Sequence, residues 1–319
     1  MNRDLFRGIL LVCAGAASYG VLATLVRLAY NEGYTTAEAT VSQYTTGLLV
    51  MGLSVLFSGK ARRASQPPAR NRRPGQDSPR GTIFRLIAGG TAYGLTGICY
   101  YLSVRYIPVS IAVILLMQTI WMGIVLDAIL DRKFPSADKC IAVVVILGGT
   151  LLATNAIGNF RELDIRGLGW GMGAALTYTA SLFVANRMAL HMPARQKSFW
   201  ILTGGTSIVL LIWSVQLFSG FQISIFWKWG LLLALFGTVL PPLLLNMGMP
   251  KTGMGLGSIL ISIEIPVSVG SAYLLLHEQV LAIQWLGIAL IIASIVLLNL
   301  RTLRNELLLS RAEKTPESS

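Results

Sequence analysis

Residues 14–27 read AGAASYGVLATLVR, and residues 173–187 read GAALTYTASLFVANR. Both are runs of small and apolar residues with a hydroxyl residue and a tyrosine side by side near the centre and an arginine at the end. Sliding the second half of the chain back by 159 positions lays Gly167 on Gly8 and Thr177-Tyr178 on Ser18-Tyr19. Further along, sliding it back by 146 lays LLHEQVLAIQWLG (275–287) on ILDRKFPSADKCI (129–141) and Lys251 on Arg105. The chain therefore reads as two copies of one unit.

Both units are apolar throughout: of 319 residues, 54% are hydrophobic and 13% charged. A run of about 20 apolar residues, rising ~1.5 Å each, covers the ~30 Å hydrocarbon core of a bilayer. Ten such helices are expected, at 8–28, 36–57, 83–106, 108–130, 137–154, 168–190, 197–218, 226–249, 253–276 and 281–300, which makes this an all-α membrane protein. Five is odd, so the second copy enters the membrane in the opposite orientation to the first. The result is an inverted repeat about a pseudo-two-fold axis in the membrane plane. The copies are taken as 8–154 and 167–300, with a basic loop at 58–82 and a tail at 301–319.

The first run follows Arg3 and Arg7 and contains Ala14-Gly15-Ala16, the outline of a cleavable leader. Its apolar stretch is too long for one and continues well past that site, and it has a counterpart in the second half. Val12 before Cys13 is not the small residue that a lipoprotein site needs. The segment is read as a helix.

Lysine and arginine choose the orientation. Twenty-one of them fall in the termini and the loops on one side, whereas Arg27, Arg105, Arg161, Arg166 and Lys228 fall on the other. Both termini are therefore expected in the cytoplasm. The stretch SGKARRASQPPARNRRPGQDSPRGT (58–82) supplies +6 of the chain's net +12. Contact with anionic lipid or nucleic acid is one reading; a Pro- and Arg-rich loop that fixes topology is the better one, and no nucleic-acid partner is expected.

The polar residues left inside the spans are few. Glu264 is the only acidic residue placed deep in one, and the 146-residue offset sets Gln118 opposite it. With Tyr19 and Tyr178 at mid-helix, four polar or aromatic groups collect at one depth around the repeat axis, where an inverted-repeat carrier binds its cargo. A charge at mid-bilayer faces a cavity or a partner. Glu264 is thus a candidate proton carrier or cation ligand, against the plainer role of a structural carboxyl bonded to nearby hydroxyls. Pro266 should kink its helix and leave the Ser262 carbonyl free, and Pro241-Pro242 should do the same in the helix before, with Asn246 just beyond. Backbone freed at membrane depth survives only where it is buried in protein or lines a cavity.

Gln118 and Trp121 share a helix face, as do Tyr93 and Gly97. They line a cavity or simply pack. Gln43, Tyr44, Thr45 and Thr46, with Thr203 and Thr206, are weaker candidates. GLGWGMG from Gly167 and GMGLG from Gly253 superficially resemble nucleotide loops, but they lie in apolar helices and read as close-packing glycines. His191 and His277 fall at span ends in no paired metal motif. Cys13, Cys99 and Cys140 fall inside spans as packing residues, so no disulfide framework, metal or other cofactor is expected.

The second half carries a family resemblance. SIEIPVSVGSAYLLLHEQVLAIQWLGIALIIASIVLLN (262–299) resembles the EamA domains of the drug/metabolite transporter superfamily: a Pro-Val, a glutamate after it, and a Gly-rich last helix. The resemblance covers residues 8 to 300. It implies a carrier of small organic metabolites, often an exporter of amino acids or related compounds, with its cavity between helices 1–4 and 6–9 and helices 5 and 10 at the periphery. It also implies that Tyr19, Gln118, Trp121, Tyr178 and Glu264 face the cavity and that Glu278 is a structural carboxylate. The first half has Asp131-Arg132 where the second has His277-Glu278, and Ile120 opposite Pro266, so the halves are not equivalent.

The expected function is alternating-access export of a small metabolite across a bacterial plasma membrane. The alternative is a proton-coupled or facilitative importer of a metabolite or drug-like cation. An enzyme would need a nucleophile with its base, paired carboxylates or a metal site, and none is found; a passive channel would conduct without saturation. Expected partners are the substrate, membrane lipid and, as an allowed assembly, a second copy in a homodimer.

Overall fold

The computed structural model describes residues 3–62, 79–132, 134–154, 164–189 and 192–312, and every regular element among them is a helix. In chain order they are α1 (Arg3–Asn31), α2 (Thr36–Arg62), α3 (Pro79–Tyr106), α4 (Val109–Leu116), α5 (Thr119–Asp131), α6 (Ala137–Ala153), α7 (Ile165–Arg187), α8 (Ala194–Ile212) and α9 (Ser214–Phe218). A π-helical turn (Phe226–Gly230), α10 (Leu231–Ala234) and a second π-helical turn (Leu235–Val239) then lead into α11 (Leu240–Ile261), followed by α12 (Glu264–Leu276) and α13 (Ala282–Ala312). Among the described residues, five runs are long and apolar enough to cross a membrane: Arg3–Asn31, Thr36–Phe57, Val109–Leu130, Ile165–Ala185 and Phe226–Met249. Lys139–Ala153, Glu264–Leu276 and Ala282–Leu297 are apolar but shorter.

Local chemistry sets several helix ends. Gly33, with φ +91°, takes the left-handed conformation that stops α1. Thr35 and Glu38 then form a reciprocal cap on α2: the Thr35 N–H donates to the Glu38 carboxylate at 2.7 Å, and the Glu38 N–H to the Thr35 hydroxyl at 3.3 Å. The other Glu38 oxygen accepts from the Gln222 N–H at 2.6 Å, tying the loop before the first π-helical turn to the start of α2.

Two helices expected to be continuous are broken. The span at 108–130 divides at Met117-Gln118, and the one ending at 276 divides at Ser262-Ile263. The hydrogen bonds at the two breaks match one for one. Gln118 N–H donates to Leu115, Ile120 to Met117 and Met122 to Gln118; Ile263 donates to Leu260, Ile265 to Ser262 and Val267 to Ile263. The Ser262 carbonyl is therefore taken, not free. Trp121 stands in the first half where Pro266 stands in the second, so the break is a property of the fold and not a proline kink.

The matched breaks correct the register between the halves. Gln118 corresponds to Ile263, the left-handed Arg132 (φ 50°) to the left-handed His277 (φ 55°), and Ala137 at the start of α6 to Ala282 at the start of α13. The offset is thus one residue less than the sequence comparison suggested, and Thr119, not Gln118, is the counterpart of Glu264.

The packing is reciprocal between the halves. α1 lies on α11 as α7 lies on α3, and α1 meets α12 as α7 meets α4 and α5. α6 pairs with α13 and α2 with α8, each a helix against its own counterpart, and α4 also meets α12. α4 has all 8 of its residues buried, which explains a sequence that is apolar apart from Ser110. Glycine sets how closely the helices approach. A Cβ on Gly204 of α8 would lie 1.9 Å from the Ile87 carbonyl oxygen of α3, and one on Gly90 would lie 2.1 Å from the Ile201 oxygen. These two helices touch backbone to backbone.

Other boundaries also differ. The seventh span divides at Trp213 into α8 and α9, and α11 carries its helical hydrogen bonding across the expected gap at 250–252. Direction along α1 nevertheless reverses there: Gly15 faces Leu244 and Leu245, Gly8 faces Gly248 and Thr252, and Gly20 faces Glu264 and Val267. α13 runs on into the tail as far as Ala312. Cys140 is exposed in the first turn of α6 and not packed inside a span, and His191 lies outside the described residues.

Candidate functional site

Glu264 opens α12, directly after the break. Its residue is 7% exposed, and among the described residues no group donates a hydrogen bond to it and no arginine or lysine stands close enough to pair with it. The phenols of Tyr19 on α1, Tyr100 on α3 and Tyr178 on α7 are near enough to interact with its carboxylate electrostatically. Gly20 lets these elements converge: a Cβ there would lie 2.7 Å from the Glu264 carbonyl oxygen and 3.0 Å from Val267. α1 therefore passes the first turn of α12 at backbone contact. The N-terminal end of a helix favours negative charge, so the position suits a carboxylate that lacks other partners.

The matching place in the first half is filled differently. Thr119, the counterpart of Glu264, shares a 2.8 Å hydrogen bond with Thr179, and Thr179 is the counterpart of Gly20. A closed pair of hydroxyls in one half is replaced by a glycine and an unpaired carboxyl in the other. The two halves differ here, and the unpaired carboxyl belongs to the second.

The double proline adds the second feature. In a helix the Gly237 carbonyl would accept from the N–H four or five residues on, and those positions are Pro241 and Pro242, which have none. The Tyr93 hydroxyl donates to the Gly237 carbonyl at 3.2 Å instead. Tyr93 in turn stands within electrostatic reach of Tyr19. Backbone freed by the prolines is thus connected through two phenols to the neighbourhood of Glu264.

The remaining candidates divide. Tyr44 packs on Tyr93 with ring centroids 5.5 Å apart and donates to the Tyr93 carbonyl at 2.7 Å, so it supports the cluster from behind. Thr206 donates to the Tyr44 carbonyl at 3.3 Å. Gln43 accepts from the Tyr101 hydroxyl and lies against Gly237. Gln118 turns away from Glu264: its amide donates to Thr150 of α6 at 2.7 Å and to the Ile114 carbonyl at 3.0 Å, and its oxygen accepts from Trp121 at 2.9 Å. Trp121 accordingly stands with Gln118 and not with the tyrosines. Asn246 is on α11, with its side chain outside the described set.

Tyr100 and Glu278 join the account on structural grounds. Tyr100 was concealed within CYYLS, where nothing distinguishes it from Tyr101. The Glu278 carboxylate accepts from the Val109 N–H at 2.7 Å, the Ser110 N–H at 3.1 Å and the Ser110 hydroxyl at 2.8 Å. The second half thereby caps α4 of the first, which gives a structural carboxylate its physical meaning.

No curated protein matches the chain. A solved structure described only as "Crystal structure of protein" superposes with a TM-score of 0.63 over 94% of this chain and 98% of its own, at 14% identity, a likeness of fold. A family model matches twice, over residues 6–155 and again over 165–300, once for each half of the helical body. A double match that takes in both halves and the elements bearing Tyr19, Tyr93, Tyr178 and Glu264 leaves one assignment: the chain belongs to the EamA-like transporter family.

Proposed function

We infer that this chain is a secondary transporter that moves a small organic metabolite across a membrane by alternating access, with the Glu264–tyrosine cluster as its binding site. The observation that carries the reading is the unpaired, buried Glu264 carboxyl at the point where α1, α3, α7 and α12 converge. The ten crossings form two inverted five-helix repeats, 8–154 and 167–300, with both termini in the cytoplasm. Reciprocal packing and the matched helix breaks support the two-fold relation, and the lysine and arginine bias supports the orientation.

Export of an amino acid or a related compound from a bacterial cell, across the plasma membrane, is the direction and cargo class that the family suggests. The partners are the cargo and lipid, with a homodimer as an allowed assembly and no nucleic acid or cofactor. A carrier is favoured over an enzyme because, among the described residues, Glu264 has phenols near it and no second carboxylate or base paired with it. A counterflow assay tests this: proteoliposomes loaded with unlabelled amino acids and metabolites should accumulate a labelled member through the wild type, whereas Glu264→Gln, inserted to the same level, should accumulate about tenfold less or worse. Equal accumulation in both would return Glu264 to a structural role.

A further inference from the structure

Three observations at the Glu264 site bear on the charge of its cargo. The carboxyl is buried, with no hydrogen bond to it and no cationic side chain near it among the described residues, so whatever balances its charge, a proton or a cation, comes from outside the protein. Phenols stand within electrostatic reach of it, and a phenol attracts cations at its ring face and accepts from N–H at its oxygen. The third is the poverty of backbone donors for an anion. A helix starting at mid-membrane ordinarily offers free N–H groups to a carboxylate. At α12 the Ile265 N–H is spent on Ser262, the Val267 N–H is spent on Ile263, and residue 266 is proline. The matching position in α5, Trp121, keeps its N–H, so the proline and the carboxylate both make the second-half break hostile to anions.

Resting on the carrier reading above, we propose that the Glu264 site takes the ammonium group of a small organic amine of net positive charge and discriminates against the zwitterion of the same skeleton. The ammonium sits against the carboxylate with the phenols of Tyr19, Tyr100 and Tyr178 within reach of it. A free α-carboxylate on the same molecule would meet a like charge, with no backbone N–H free at residues 265–267 to offset it. Discrimination therefore falls on the group that distinguishes an amine, amide or ester from its parent amino acid.

The test is binding to the purified full chain in nanodiscs, followed by calorimetry, with phenethylamine and tyramine as probes against phenylalanine and tyrosine. Both amines should bind, and each amino acid should bind at least about tenfold more weakly than its amine. Glu264→Gln should weaken the amines by about tenfold or more, with Glu264→Asp recovering part of the loss. Tyr178→Phe, which keeps the ring, should bind better than Tyr178→Ala by roughly three- to thirtyfold. Equal binding of amine and amino acid, unchanged amine affinity in Glu264→Gln, or no binding of either amine would overturn the inference. Counterflow separates this from the carrier reading. Saturable amino-acid exchange that neither amine inhibits keeps the carrier and discards the cationic cargo, whereas Glu264-dependent amine binding without flux keeps the cation site and discards the carrier.

Discussion

Pro241 and Pro242 take both helical donors from the Gly237 carbonyl, and the hydroxyl of Tyr93, 3.2 Å away, replaces them. Removing that hydroxyl leaves a buried acceptor unmet, which costs about 1–3 kcal/mol. Tyr93→Phe should therefore lower unfolding stability in detergent by that amount. The same change made on a Pro241→Ala background should cost clearly less, because the alanine returns an N–H four residues beyond Gly237. No loss on either background would mean that Tyr93 contributes through its ring packing on Tyr44 alone, and equal losses on both would mean that its hydroxyl acts through a partner other than the Gly237 carbonyl. The residue scale was also where the sequence was most uneven as a guide. Glu264 announced itself as a lone carboxyl in an apolar run, and the two prolines pointed to freed backbone. Gln118 misled because side chains of the two halves can be matched one residue out of register without any visible penalty in composition. Only the hydrogen bonds at the breaks decide between the two alignments.

At the scale of elements, glycine and the helix breaks do most to shape the bundle. α3 and α8 meet through Gly90, Gly94, Gly204 and Gly205, and at Gly204 even a methyl group would fall inside the Ile87 carbonyl. Gly204→Ala should push the two helices apart and destabilise the protein by about 1–3 kcal/mol. Gly169 on α7 has nothing within 4 Å of its own Cβ position, so Gly169→Ala should be neutral or raise stability by up to ~1 kcal/mol through helix propensity. Thermal melts of the two variants in one detergent test the contrast, and similar shifts for both would remove close packing as the cause. Helix existence was legible because apolar runs of membrane length are hard to mistake. The breaks were not, since Met117-Gln118 and Ser262-Ile263 contain no glycine or proline, and the one nearby proline suggested a cause that the first half shows to be unnecessary.

The whole molecule turns on how many times the chain crosses the bilayer, and α6 is the element on which the count hinges. At 17 residues and ~1.5 Å each it reaches about 25 Å, less than the ~30 Å core. A short helix is accommodated by local thinning or by association with others, and α6 packs on α13 with Gly149 and Gly287 at backbone contact. If α6 crosses, then α6, α7 and the α8–α9 pair make three passages between Cys140 and Ser219, which puts those residues on opposite faces. If α6 only lies in the surface, two passages remain and the residues share a face. Cys140 is exposed at the start of α6, and Ser219 is exposed beyond the end of α9. With Cys13 and Cys99 replaced by serine, a membrane-impermeant maleimide applied to intact cells should label Ser219→Cys at once and Cys140 only after permeabilisation. Labelling of both only after permeabilisation would put them on one face, fix α6 as a non-crossing helix, make the first repeat four-helical and remove the odd count that inverts the second. The positive-inside argument and the two-fold relation between the halves therefore stand or fall together on this pair of thiols.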